Sequence, residues 1–107
     1  MQRNHTWPIV VQDQKGRYIY LTSERWDHAL DHPGMDEGIL EQLLETIRKG
    51  NRKQDMYDAA KFKYIYKFEN LPLDYTHVVV VVKFGWQIES PQTDNNFVLT
   101  AYLVERW

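Results

Sequence analysis

Residues 77–83 read His-Val-Val-Val-Val-Val-Lys, five valines in a row between two polar ends. Branching at Cβ favours extended backbone. A run without polar alternation suits a strand covered on both faces, so residues 78–82 are expected at the centre of a sheet. Its neighbours follow from the patterns on either side. Residues 62–68 alternate strictly, with Phe62, Tyr64, Tyr66 and Phe68 facing one way and Lys63, Ile65 and Lys67 the other. Residues 97–104 form the last strand by the same rule. Phe97, Leu99, Ala101 and Leu103 are expected on one face, and Val98, Thr100, Tyr102 and Val104 on the other.

Outward from these strands, residues 9–11 and 17–21 are short β-rich runs around the turn Asp13-Gln14-Lys15-Gly16, which reads as a hairpin. A first helix is expected over 23–33, capped by Thr22 or Ser23 and stopped by Pro33-Gly34. A second runs from about Asp36 to Lys49. Ile39, Leu40, Leu43, Leu44 and Ile47 repeat with helical period, and Gly50 follows. Residues 51–60 and 85–96 read as polar loops. The order predicts an α+β fold: an N-terminal β-hairpin, two helices, then an antiparallel β-sheet meander with the helices packed on one face. No βαβ unit or Gly-rich phosphate loop is evident.

At 107 residues, a single domain over 1–107 is expected. Hydrophobic residues make up 43%, enough for one core. No apolar run reaches bilayer length, and the N-terminus has no apolar signal segment. The absence of cysteine excludes disulfides and thiol catalysis and fits a cytoplasmic protein. The net charge of −2 conceals an asymmetry. Residues 22–47 hold seven acids and one base, whereas 48–83 hold eight bases and four acids, which suggests a local anion-binding surface.

The stretch Ser23-Glu24-Arg25-Trp26-Asp27-His28-Ala29-Leu30-Asp31-His32-Pro33 carries the candidate chemistry. On a helix, Arg25, His28 and His32 fall at about 0°, 300° and 340°. That cationic, titratable stripe lies beside an apolar edge of Trp26, Ala29 and Leu30. Pro33 biases the backbone of His32 away from the helix, so His28 carries more weight. Cleaving RNA without a metal needs a base, an acid and positive charge at the phosphate. His28 and His32 suit the proton transfers. Arg25 with Lys83 or Lys53 suits the charge, and Thr100 could orient a partner. Tyr64, Tyr66 and Tyr102 could stack or donate. Arg52 and Lys63 extend the basic region along which RNA would lie. The blander readings are surface histidines, sheet-packing tyrosines and solvated charges. The i, i+4 spacing of His28 and His32 also suits a zinc pair, but Ala29 stands where the zincin motif has its Glu.

The run from Leu21 to Pro33 resembles the "I-T-x-x-R-x-x-H-I-x-x-x-H-P" opening of phage- and toxin-associated domains in the barnase–EndoU–colicin–RelE (BECR) superfamily. The ending Phe97-Val98-Leu99-Thr100-Ala101-Tyr102 is similar to their closing strand, "I-x-T-A-Y". The resemblance spans roughly Leu21 to Val104. It implies a metal-independent endoribonuclease-like toxin domain without cofactors, acting on RNA and neutralised by an antitoxin or immunity protein. It implies catalytic roles for Arg25, His28, His32, Thr100 and Tyr102. The alternative is a non-catalytic interaction module of the same fold. Such a module would bind RNA or a protein, and the aromatic face of residues 62–68 with Trp107 could serve a protein partner or a homodimer.

Overall fold

The computed structural model describes residues 5–87 and 90–106. In chain order its strands and α-helices are β1 (Ile9–Gln12), β2 (Tyr18–Leu21), α1 (Ser23–Ala29), α2 (Leu40–Lys49), β3 (Asn51–Gln54), β4 (Lys61–Lys67), β5 (His77–Lys83), β6 (Trp86–Gln87), β7 (Ser90–Asp94) and β8 (Phe97–Val104), with short 3-10 turns at Glu37–Ile39 and Pro72–Asp74. Six strands form one curled sheet in the order β1-β2-β8-β5-β4-β3. Every pairing is antiparallel except β2 with β8, which run parallel where Tyr20 meets Phe97. The fold is therefore α+β with an N-terminal hairpin. Among the described residues, no helix is long and apolar enough to cross a membrane.

The valine strand β5 lies inside the sheet, between β4 and β8. Val78, Val80 and Val82 are fully buried in the core shared with Leu40, Leu43, Leu44 and Ile47 of α2. Val79 and Val81 point to the opposite, open face. They are covered there by cross-strand neighbours, Ile65 and Tyr102 flanking Val79, and Lys63 and Thr100 flanking Val81. Tyr64, opposite Val80, lies on the helix face with Phe62 and Tyr66. The aromatic row of 62–68 is thus turned toward the helices. Trp107 lies outside the described residues.

Three expectations are corrected. Residues 51–60 are not all loop, because Asn51–Gln54 pairs with β4 as the outermost strand. An edge strand with both faces near water needs no apolar alternation, so its four polar residues hide it. Gly50 joins α2 directly to β3. A Cβ there would press on the Thr46 carbonyl and sit 2.7 Å from that of Ile65. Residues 85–96 contain the hairpin of β6 and β7. At its base, buried Asn96 donates from Nδ2 to the Tyr18 carbonyl (3.1 Å) and accepts from the Gly85 amide (3.3 Å). The first helix is the third correction. It ends at Ala29, not near Pro33.

The β1–β2 turn is pinned to the sheet by a buried carboxylate. Asp13 Oδ2 accepts from the Tyr64 hydroxyl (2.5 Å) and from Arg17 Nε (2.6 Å), and Oδ1 accepts from the amides of Lys15 and Arg17 (both 3.0 Å). Burial pushes the Asp13 carboxyl up. The bonds from Tyr64, Arg17 and Lys15 outweigh it and hold the group below the usual carboxylate range. Burial and the adjacent carboxylate push the Tyr64 phenol above its ordinary value.

Tyr64→Phe should lower unfolding free energy by about 1.5–3 kcal/mol near neutral pH, the range for a hydrogen bond to a charged group. A depressed Asp13 adds stability that is present above its unfolded value of about 3.9 and lost as pH falls through the folded one. A raised Tyr64 adds stability that is present below about 10 and lost as pH rises through its folded value. Urea unfolding should therefore show a constant gap between wild type and Tyr64→Phe from pH 5 to 9, narrowing in acid and in strong alkali. A gap that widens in acid would contradict this assignment.

Candidate active site

Local geometry at the end of α1 decides which histidine reaches the sheet. Thr22 caps the helix, its hydroxyl accepting from the Arg25 amide (3.2 Å). Trp26 and Ala29 are fully buried, and the Trp26 indole donates to Glu37 (2.9 Å). Beyond Ala29 the chain tightens, with the amides of Asp31 and His32 bonding to the carbonyls of His28 and Ala29. Gly34 then adopts φ +80, a conformation that disfavours other residues. A Cβ at Gly34 would lie 2.9 Å from Leu103 and 3.0 Å from the Tyr75 ring. These turns swing His32 off the stripe it would share with Arg25 and His28 on a continuous helix.

The second half of the site comes from a break in strand register. Val81 pairs with Thr100 but Val82 pairs with Val98, so Leu99 is an extra residue in β8. Val98, Ala101 and Leu103 consequently all point into the core. Thr100 and Tyr102 point to the open face, beside Val81 and Val79. Strict alternation would have grouped Val98 with Thr100 and Tyr102, and the bulge overturns that expectation.

His32 meets this face. Its Nε2 and Thr100 Oγ1 share a hydrogen bond of 3.1 Å, with the ring tautomer setting which one donates. The Tyr102 ring centroid lies 5.7 Å from that of His32, tilted by 53°. All three are half-buried. A titratable ring, an orienting hydroxyl and a phenol therefore converge from two elements.

The other candidate residues are dispersed. His28 is exposed, and among the described residues no hydrogen bond holds its ring. Arg25 is half-buried beside Tyr20 and Phe97 in a shallow cavity of about 400 Å³, near the start of β8. Lys53 and Lys63 stand directly opposite each other on β3 and β4, and both line a groove of about 720 Å³ that Tyr102 also borders. Arg52, one residue away, projects to the helix side, its guanidinium 3.8 Å above the Phe62 ring centre. Lys83 is paired with Asp58, whose carboxyl it holds below the usual range.

Tyr64 is not available for base stacking, because it is 1% exposed and committed to Asp13. Tyr66 is half-buried on the helix side, edge-on to Phe68. The six residues expected to bind RNA are thus split between two faces, and only Lys53 and Lys63 share the groove. Met56 and Tyr57, also in its wall, were missed. Two large apolar residues inside a polar inter-strand segment were the available signal. Among the described residues, no three His, Asp or Glu side chains are grouped as metal ligands.

No family model, curated protein or solved structure matches the chain. The site therefore rests on its own geometry.

Gly34→Ala should destabilise the protein by roughly 1–3 kcal/mol through positive φ and crowding. It should also shift the His32 ring NMR signals as the bond to Thr100 is lost. Unchanged thermal unfolding and unchanged His32 signals would show that Gly34 does not position the ring.

Proposed function

We propose that the chain is a metal-independent endoribonuclease-like domain of the toxin type, with its active site on the open face of the sheet. The observation that carries this reading is the convergence of His32, Thr100 and Tyr102. RNA brings its own nucleophile, so the protein must supply only proton transfer and charge. The 2′-hydroxyl oxygen attacks phosphorus and gives its proton to His32 Nδ1, while Nε2–H donates to Thr100 Oγ1 and holds the ring in place. The bond from phosphorus to the 5′ oxygen breaks, and that oxygen takes a proton from the Tyr102 hydroxyl. The products are a 2′,3′-cyclic phosphate and a 5′-hydroxyl.

Lys63 sits in the same cross-strand row as Thr100, with Val81 between them. It supplies positive charge that Lys83, paired with Asp58, is less free to give. Arg25 contributes from the far end of the face, beside Phe97. RNA as substrate and the lack of cysteine favour action in the cytoplasm. An antitoxin or immunity protein would neutralise such a domain by covering the open face.

The test is cleavage of varied RNAs in EDTA. Wild type should cut. His32→Ala should lose about 10²- to 10⁴-fold in rate, the range for general acid–base catalysis. His28→Ala should stay close to wild type. Equal cutting by His32→Ala would remove the proposed base. No cutting by wild type would favour the non-catalytic binding module of the same fold.

A further inference from the structure

The segment between β3 and β4 holds two apolar side chains out in water by means of its own hydrogen bonds. Asp55 Oδ2 accepts from the amides of Tyr57 and Asp58 (both 2.9 Å). Asp58 Oδ1 accepts from the Ala60 amide (3.0 Å), and Gln54 Nε2 donates to the Ala59 carbonyl (2.8 Å). Asp58 also pairs with Lys83 on β5. Despite this ordering, Met56 is 85% exposed and Tyr57 92% exposed. A turn so well bonded has no need of exposed apolar side chains for its own stability.

Those two residues wall the groove of about 720 Å³ on the open face, and Ile65 and Val79 form its apolar floor. The size falls within the range of small-ligand pockets. Lys53 and Lys63 project along one side, directly opposed across the β3–β4 pair. Like charges so placed destabilise a sheet. Among the described residues no ion pair neutralises either lysine. Lys63, Val81 and Thr100 lie in one row across three strands. At the usual strand spacing, the backbones of Lys63 and Thr100 are about 10 Å apart. Tyr102 borders the groove and also packs near His32.

We propose that this groove is a base-stacking subsite for single-stranded RNA. An unpaired base lies on Ile65 and Val79 with Tyr57 stacked on it, and the flanking phosphates meet Lys53 and Lys63. The strand then continues past Tyr102 to His32. This rests on the ribonuclease reading above and adds what that reading leaves open, a requirement for unpaired RNA. A duplex keeps its base faces stacked on one another, so none is free to enter the groove.

The probe is a fluorescent, 2′-O-methylated RNA oligonucleotide of mixed sequence, single-stranded or annealed, titrated with the full chain and read by anisotropy. Without a 2′-hydroxyl it binds but cannot be cut. The single strand should bind more tightly than the duplex. Tyr57→Ala should weaken single-strand binding by about 5- to 150-fold, the span of one aromatic stack, and Tyr57→Phe should retain it. Lys63→Ala should flatten the salt dependence. Tyr57 is almost fully exposed, so these variants should keep the wild-type circular dichroism. Equal affinity for duplex, or for Tyr57→Ala, would overturn the subsite. Tyr57-dependent binding without cleavage of ordinary RNA would uphold the subsite and reject the ribonuclease. Cleavage with Tyr57-independent binding would do the reverse.

Discussion

One extra residue in the last strand determines which side of the sheet carries polar chemistry. Leu99 has no partner on β5, and its insertion switches the phase of β8. Val98 fills the core before the bulge, and Ala101 and Leu103 fill it after. Without the bulge, burying Val98 would bury Thr100 and Tyr102 and turn Ala101 and Leu103 to the other face. A one-residue slip exchanges the two faces of a strand, and here it is confined to half of one. The edge of β8 completes the arrangement. β2 pairs with it only at Phe97, and α1 packs against β8. The turn leaving α1 therefore arrives beside Thr100, where His32 bonds.

Much of this was legible from local pattern. Five valines mark the core strand because no polar residue interrupts them. The cap at Thr22 is readable because a short oxygen-bearing side chain before a periodic stretch satisfies free amides. What was not legible depends on partners far away in sequence. β3 is polar throughout and becomes a strand only by pairing with β4. The bulge at Leu99 leaves no local trace, since every residue around it is a plausible strand former. The turns after Ala29 take His32 out of the helix, in keeping with the bias that Pro33 puts on the residue before it. The disturbance, however, brings His32 onto the site instead of removing it, and Gly34 against Leu103 and Tyr75 supplies the reason.

The charge asymmetry along the chain has a structural counterpart, though a thinner one than the count suggests. Part of the basic segment is consumed internally. Arg48 and Lys49 pair with acids on α2 in exposed contacts that water and salt screen. Lys83 holds Asp58, and Arg52 lies flat on Phe62. A near-neutral protein can still offer a local cationic strip if its other cations are paired. Lys53, Lys61, Lys63 and Lys67 of that segment stand outside these contacts, and Lys53 and Lys63 are the two of them that line the groove.

Their opposition invites a simpler explanation, that edge strands carry lysine to discourage pairing with other chains. That accounts for Lys53, which lies on the outermost strand. It does not account for Lys63, which lies on β4, already bonded on both sides. Protecting an edge requires charge on the edge alone, and a neutral or acidic partner opposite Lys53 would relieve the repulsion. The chain instead places a second lysine there; Asp55 and Glu105 also line the groove, but the Asp55 carboxylate accepts from backbone amides of its own turn and neither acid stands opposite Lys53 on β4. A like-charge pair maintained on the flank of an apolar groove, one row of side chains from a hydrogen-bonded histidine, is most simply explained by an anion that lies across both.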